Sequence, residues 1–138
     1  MSTFQPRIGE VYWMDFSGSG HEQSGMHPGV IFQNNVGNIH SPCVTVLPIT
    51  SKLKKLGMPT HVFLRAEDSG LHRDSVVCAD CPRTLDKRRV CEYITTLPED
   101  AMKKISVASL LASSSIAFLD AGEIAAALER AKRLNFMS

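Results

Sequence analysis

The sequence lacks the features that would place it in a membrane or outside the cell. Its 138 residues contain no apolar run close to the roughly 20 residues that a membrane-spanning helix needs. The N-terminus carries no basic stretch followed by an apolar one, so nothing favours a secretory signal. Internal repeats and low-complexity segments are also absent. These absences predict a cytoplasmic protein with no membrane partner, and the length predicts one domain over residues 1–138.

Neither sign of charge is in large excess. Fifteen basic and 14 acidic side chains leave a formal net charge of +1. The distribution is more informative, because residues 51–55 and 83–89 form two basic runs. A basic run is most often a solvated surface. Two such runs beside a candidate site favour a polyanionic partner, since Lys and Arg supply most phosphate contacts.

Cysteine is sparse, and its spacing argues against a metal site. Cys78 and Cys81 have the two-residue gap of a zinc knuckle, but no matching second pair exists. Cys43 and Cys91 are isolated in apolar, strand-like runs. A closed tetrahedral site would need all four thiolates to converge. The pattern therefore favours small buried thiols in a reducing compartment, with no metal and no cofactor.

Six short segments have the composition of β-strands. They are rich in β-branched and aromatic residues, are separated by turn residues, and cover residues 9–16, 28–33, 42–49, 61–65, 74–79 and 90–94. Residues 34–38, rich in Asn and Gly, are expected to form a turn. Small chains curl their sheets to protect exposed edges, so this spacing predicts a small barrel or sandwich.

The end of the chain has a helical pattern. Pro98 suits the first position of a helix that runs to about Ser115, with acidic residues in its first turn. A second helix is predicted to begin at Asp120, which can cap it together with Glu123, and to end near residue 135. Its apolar stripe predicts packing on the barrel or on a second copy; the stripe comprises Ile124, Ala127, Leu128, Ala131 and Leu134.

A polar, glycine-punctuated loop over residues 20–28 marks the candidate site. It carries Glu22 and His27 and leads directly into a strand. The next strand ends at Thr50, which is followed by a second hydroxyl and a lysine. Polar groups held at strand ends by a rigid apolar scaffold are where binding and catalytic sites tend to be built.

A series of short motifs resembles the MazF/PemK toxin family. In order, they are Glu22-Gln23-x-Gly25-x-x-Pro28, Val30-Ile31-x-Gln33-Asn34-x-x-Gly37-Asn38, Ser41-Pro42, Pro48-Ile49-Thr50-Ser51-Lys52, Pro59-Thr60-His61-Val62, Asp74-Ser75-Val76 and Arg83-Thr84-x-Asp86-Lys87. Order and spacing are kept from about Gly9 to Pro98, and the helix from Asp120 onward extends beyond the usual family end.

The resemblance implies an α+β, mainly β fold. This is an SH3-like small β-barrel over about residues 8–97, a C-terminal helix over about 98–115 and an additional helix over about 120–135. It also implies the homodimeric toxin of a type II toxin–antitoxin system. Such a toxin is a metal-independent, sequence-specific endoribonuclease that leaves 2′,3′-cyclic phosphate and 5′-OH ends on single-stranded RNA. A cognate antitoxin covers the RNA groove and binds DNA together with the toxin.

The resemblance assigns catalysis to Thr50 and to the position of His27, where the family has arginine. Arginine is a permanent cation whose fork of donors fits phosphate, whereas histidine has at most two donors and titrates near neutral pH. His27 could act as the general base or acid. Alternatively, the site could be weakened, leaving a module that binds RNA, antitoxin or another protein. Glu22 matches a glutamate that assists the chemistry, or else it fixes the loop through backbone amides.

Four further residues are candidates for binding RNA: Gln23, Ser51, Lys52 and Arg83. No base preference carries over, because Asp80 and Cys81 stand where the family usually has Glu-Gln. The other histidines, His21, His40, His61 and His72, are expected to lie at the surface or at strand ends without a role. A related branch of the fold poisons DNA gyrase by protein contact alone. Such a poison would need neither the cluster at 50–52 nor two basic runs.

Overall fold

A computed structural model describes residues 4–17, 25–53 and 56–137. Within these ranges the strands are β1 Glu10–Asp15, β2 Met26–Ile31, β3 Cys43–Thr50, β4 His61–Leu64, β5 Ser75–Cys78, β6 Arg83–Asp86 and β7 Val90–Thr96. The helices are α1 Asn35–His40, α2 Ala66–Ser69, α3 Glu99–Ala112, α4 Ser115–Phe118 and α5 Ala121–Arg133, with a 3₁₀ turn at Lys87–Arg89. The predicted α+β, mainly β class is confirmed.

The strands form an antiparallel sheet that is open. The order is β4-β5-β3-β2-β1-β7, and β6 also pairs with β3. The eight-residue strand β3 is its centre, because it pairs with β2, β5 and β6. Among the described residues, β4 pairs with β5 and β7 pairs with β1, so the ladder does not close. Where the sequence predicts a small β-barrel, the described strands form an open sheet, and the predicted fold class is unchanged.

Consecutive residues of the central strands belong to two different hydrophobic clusters. This follows from the alternation of side chains across a strand. Val11, Val30 and Leu47 pack in the first cluster with the apolar face of α3, which contributes Ala101, Ile105 and Ala108. The second cluster contains their strand neighbours and residues from β6 and β7, namely Tyr12, Met14, Phe16, Ile31, Val44, Val46, Leu85 and Val90. The central strands therefore pack into one hydrophobic cluster or the other with alternate side chains.

One local prediction was wrong, and one strand, β6, was not predicted. Residues 34–38 form the start of α1 rather than a turn, because the Asn34 side chain accepts from the Gly37 amide at 2.9 Å and caps the helix. The basic segment beginning at Arg83 is partly strand β6, which pairs with β3 and buries Leu85. Charged residues at both ends of this four-residue strand obscure its alternation in the sequence.

The C-terminal helices follow the predicted order with an added short helix, α4. Pro98 is the residue before α3 rather than its first position. Helix α5 has the predicted capping box: the Glu123 amide donates to Asp120 Oδ1 at 2.8 Å, and the Asp120 amide donates to Glu123 Oε1 at 3.1 Å. Every α5 residue except the half-buried Ala131 is exposed. The predicted packing of its stripe on the barrel is therefore wrong, while packing on a second copy remains a prediction.

None of the helices in the described ranges combines the length and the apolar character that crossing a bilayer requires.

Candidate active site

A cavity of about 470 Å³ opens at the shared end of β2 and β3, beside the segment 70–74 that connects α2 to β5. Its apolar walls include Trp13, Ile49, Leu71 and Ile94. Its polar lining comprises His27, Thr50, Ser51, Lys52, His72, Arg73 and Ser75. Four residues that the sequence singled out therefore meet in one concave space, which is the usual form of a ligand site.

His27 and Thr50 come together through the register of the sheet. Gly29 of β2 pairs with Pro48 of β3. This pairing ends two residues short of His27 and Thr50, and both of these residues line the cavity. Residues directly opposite each other on antiparallel strands project from the same face of the sheet. The sheet thus delivers an imidazole and a hydroxyl to one cavity from residues that are far apart in the sequence.

The Thr50 hydroxyl has a defined orientation. The Lys52 amide donates to Thr50 Oγ1 at 3.1 Å, which is the local turn that Ser and Thr side chains often make. This bond uses an oxygen lone pair and leaves the hydroxyl proton for a ligand. The pairing of Thr50 with Val76 fixes the backbone on the other side. Ser51 and Lys52 follow as exposed residues at the mouth of the cavity.

His27 is half-buried and packs beside a core aromatic ring. Its ring centroid lies 6.4 Å from that of Phe16, which is fully buried. On the same ring lies the Arg83 guanidinium, with Cζ 5.8 Å from the centroid. Arg83 does not line the cavity, but Arg83 and His27 both pack near the Phe16 ring.

Sequence reasoning assigned no role to Trp13, His72 or Arg73, and all three line the cavity. His72 and Arg73 reach it because Gly70, with φ of 81°, ends α2 and turns the chain back toward β5. The Ser75 hydroxyl donates to the Arg73 carbonyl at 2.8 Å and fixes this segment. The sequence signal for this segment is the turn at Gly70. That turn does not show which strand ends lie beside residues 70–74.

The cavity suits an anion. Lys52 and Arg73 are basic, and His27 and His72 add two imidazoles. Among the described residues, no acidic side chain belongs to the lining. Glu22 and Gln23 fall outside the residues that the structure describes, so their roles remain predictions.

Three cations of the basic run at 83–89 bind other groups of the protein. Arg88 pairs with Asp86 through Nε and Nη2, each at 3.0 Å, and lowers the pKa of that carboxyl to about 2. Arg89 donates to the Ser17 carbonyl at 2.8 Å. Lys87 donates to the carbonyl of Asn38. These three cations therefore have partners within the protein, and Arg88 is also largely exposed to solvent.

Comparison with known proteins gives matches over most of the chain. The family model described as PemK-like, MazF-like toxin of type II toxin–antitoxin system matches residues 7–111. The chain is 39% identical over 111 residues to endoribonuclease EndoA of Bacillus subtilis, covering 80% of this chain and 96% of EndoA.

Solved structures agree with this match. An endoribonuclease in complex with its cognate antitoxin from a mycobacterial species has a TM-score of 0.66 and 28% identity, over 78% of this chain and 93% of that one. MazF from Deinococcus radiodurans has a TM-score of 0.66 and 27% identity, over 78% of this chain and 96% of that one. Helix α5 lies beyond the residues that the family model matches.

Proposed function

Because this chain belongs to the PemK-like, MazF-like toxin family, we propose that it is an endoribonuclease toxin of a type II toxin–antitoxin system. Its substrate is single-stranded RNA, which it cuts at specific sequences without a catalytic metal. The observation that carries this proposal is the cavity that contains both His27 and Thr50 and that has basic and imidazole side chains but no acidic one among its described residues.

Cleavage without a metal needs three contributions. A base removes the proton of the 2′-OH, donors stabilise the negative charge that grows on the phosphate, and an acid protonates the leaving 5′-oxygen. The 2′-oxygen forms a bond to phosphorus while the bond from phosphorus to the 5′-oxygen breaks. The products are a 2′,3′-cyclic phosphate and a 5′-OH end. Acid–base catalysis contributes about 10²–10⁴-fold, and placed donors contribute a comparable factor.

We assign the 2′-OH proton to His27, since a neutral imidazole is a competent base near pH 7. Thr50 donates its hydroxyl proton to a non-bridging phosphate oxygen, because Lys52 already occupies a lone pair of Oγ1. Glu22 assists the acid–base chemistry. Protonation of the leaving oxygen falls to Glu22 or to His72, and single variants of these two residues separate the alternatives.

Arg73 takes over the charge of the family arginine that His27 replaces. It lines the same cavity from a different segment, and its backbone is held by Ser75. A guanidinium can bind phosphate through two parallel hydrogen bonds, which an imidazole cannot do. The positive charge is thus assigned to Arg73 and the proton transfer to His27.

RNA binding extends along the cavity rim. Ser51 and Lys52 contact the RNA backbone or base edges, and Gln23 acts from the adjoining loop. Trp13 offers its ring as a stacking platform, because single-stranded RNA is bound by splaying bases onto aromatic side chains. Arg83 adds a further contact beyond the lining.

The proposed toxin acts in the cytoplasm, where its RNA substrate is found, as a homodimer of single-domain chains spanning residues 1–138. It is held in check by a cognate antitoxin. A structurally similar endoribonuclease bound to its cognate antitoxin supports this partner. With the antitoxin the toxin also binds DNA.

A second candidate function is a binding module that holds RNA, antitoxin or another protein but cuts slowly. The observation that favours it is His27 itself, because an imidazole replaces the phosphate-binding fork of arginine.

The deciding experiment is cleavage of a long single-stranded RNA in EDTA, with the new ends identified by mass spectrometry. We expect wild type to leave cyclic phosphate ends, and His27→Ala and Thr50→Ala to lose activity by about 10²-fold or more. His40→Gln is the matched control, since His40 is an exposed histidine outside the cavity lining. An inert wild type that His27→Arg activates would support the binding module and reject the assignment of His27.

A further inference from the structure

Three side chains with metal-binding atoms meet at the end of β5 opposite the cavity. His61 begins β4 and pairs directly with Cys78, the last residue of β5. The Ala79 amide donates to the Thr60 carbonyl at 3.0 Å, so His61 and Cys78 form a non-hydrogen-bonded pair, in which side chains stand closest. Asp80 follows on the turn that the Cys81 amide closes onto the Cys78 carbonyl at 3.3 Å.

The atoms of this cluster are close enough for a shared ion. A ring nitrogen of His61, the Cys78 sulfur and an Asp80 carboxylate oxygen lie within 4.8 Å of one another. His61 Nε2 is 3.0 Å from Asp80 Oδ1. Tetrahedral zinc holds N, O and S ligands about 3.3–3.8 Å apart, as bond lengths of about 2.0–2.3 Å require. Small side-chain adjustments therefore suffice to bring the three atoms to an ion.

The histidine ring of the cluster lies in a largely buried position. The His61 side chain is only 8% exposed. Its Nδ1 is buried and, within the described part of the chain, has no hydrogen-bond partner. Buried polar atoms are nearly always satisfied, and leaving one unpaired is unfavourable. Because Nε2 is the nitrogen that faces Asp80, an ion shared with that carboxylate binds Nε2, and the unpaired Nδ1 is not itself a ligand.

We propose that His61, Cys78 and Asp80 form a zinc site, which goes beyond the proposed ribonuclease activity. A mixed set of imidazole, thiolate and carboxylate suits Zn²⁺, whereas Mg²⁺ and Ca²⁺ take oxygen ligands only. On binding, the Cys78 thiol releases its proton to solvent, a Zn–S bond forms and no electron is transferred. Water takes the fourth position. The predicted small buried thiols are not found, since Cys43, Cys78 and Cys81 are half-buried and Cys91 is exposed; the cluster combines one thiol with two other ligand types.

The position of the site indicates what the metal does. Ser75 lines the cavity, and Cys78 is three residues further along β5, about 10 Å away at the usual rise of a strand. The ion is therefore not part of the phosphate chemistry. It links the start of β4 to the end of β5. It therefore also holds the C-terminal end of the connection between β3 and β4, which begins with Ser51 and Lys52.

The test adds Zn²⁺ to metal-free full-length protein. Stoichiometry is read by native mass spectrometry, affinity by competition with a chelating dye, and ligand type by the visible spectrum of the Co²⁺ form. We expect one ion per chain, a rise in Tm and a thiolate-to-cobalt band. Cys78→Ser and Asp80→Asn keep the side-chain size, and each is expected to weaken binding by about 100-fold, since even outer-shell changes cost 10–100-fold. If Cys78→Ser does not fold, Asp80→Asn carries the test.

Cys91→Ser is the matched control, because Cys91 is an exposed thiol outside the cluster. It is expected to bind zinc as wild type does. The proposal is overturned if wild type binds no zinc, if Cys78→Ser and Asp80→Asn bind it as tightly as wild type, or if the Co²⁺ form shows no thiolate band.

Discussion

The guanidinium of Arg83 lies over the ring of Phe16, with Cζ 5.8 Å from the ring centroid. The same ring packs near His27, at 6.4 Å between centroids. Phe16 is fully buried, so it has little freedom to shift. One core aromatic side chain thus sets the position of a cation from β6 and of the imidazole that we assign to proton transfer.

Phe16→Leu tests this arrangement. Leucine keeps most of the apolar contact but loses the flat surface against which the imidazole packs. We expect a loss of about 1–2 kcal/mol in the free energy of unfolding, less than the cost of truncating a buried Phe to Ala. Cleavage should fall by about tenfold or more, because small displacements of a catalytic group are costly. Rates are measured well below the melting temperature of the variant.

Phe63→Leu is the control for Phe16→Leu, since Phe63 is an exposed phenylalanine on β4. It should change neither stability nor cleavage appreciably. Reduced stability with an unchanged cleavage rate in Phe16→Leu would show that the ring supports the core but does not position His27.

Arg73→Ala tests whether Arg73 contacts a phosphate. Each neutralised phosphate of a single strand contributes about 0.7 to the slope of log K against log salt. We expect weaker binding of an uncleavable 2′-O-methyl RNA and a slope smaller by about that amount, measured by fluorescence anisotropy across a salt series. Lys103→Ala removes an exposed cation from α3, outside the cavity lining, and should leave the slope unchanged. An unaltered slope in Arg73→Ala would remove Arg73 from the site.

Local sequence patterns were sufficient to predict those elements that depend only on neighbouring residues. The capping box at Asp120 and Glu123 was readable because both partners lie within one helical turn. The alternation in β1 and the apolar run of β3 were readable for the same reason. The loop with His27 and the strand end at Thr50 were readable as a candidate site, but their catalytic roles came only from the family resemblance, since no local pattern indicates that two strand ends will meet.

Features that depend on long-range packing were not readable. The Asn residues of α1 predict a turn in the sequence, yet Asn38 is fully buried and its side-chain amide donates to Asn35 Oδ1 at 3.0 Å. Arg73 lines the cavity because Gly70 turns the chain back beside the sheet. The other walls of the cavity come from residues that are distant in the sequence. The cluster at His61 likewise depends on a strand register that no spacing of cysteines reveals.

Gly70→Ala should destabilise the fold more than Gly57→Ala. Both glycines have positive φ, 81° and 90°, so both substitutions incur a backbone cost of about 1–2 kcal/mol. A Cβ at Gly70 would also collide with Thr95 Oγ1, whereas no atom of the described residues lies within 4 Å of one at Gly57. We expect about 1–3 kcal/mol more loss for Gly70→Ala, as overpacking usually costs. Thermal unfolding at matched pH compares the two, and equal losses would mean that Thr95 moves aside freely.

The carboxyl of Asp86 should titrate far below its usual range. The Arg88 side chain and then the Arg88 amide hydrogen-bond to it, and together they lower its pKa from 3.8 to about 2. Because the folded pKa is depressed, the contribution to stability is present above the unfolded pKa of about 3.9 and is lost as pH falls toward about 2. The difference in stability between wild type and Asp86→Asn should therefore shrink across this window.

NMR titration of the Asp86 side chain checks the cause directly. Arg88→Met removes the guanidinium but keeps the backbone amide, so the pKa should move back toward 3.8 without fully reaching it. Arg65→Met removes an exposed arginine that pairs with Glu67 and Asp68 instead, and it should leave the Asp86 titration unchanged. A pKa near 4 in the wild type would mean that Asp86 and Arg88 do not hold this pair in solution. Arg88 would then be available to a polyanion, and the basic run at 83–89 would regain a candidate contact for RNA.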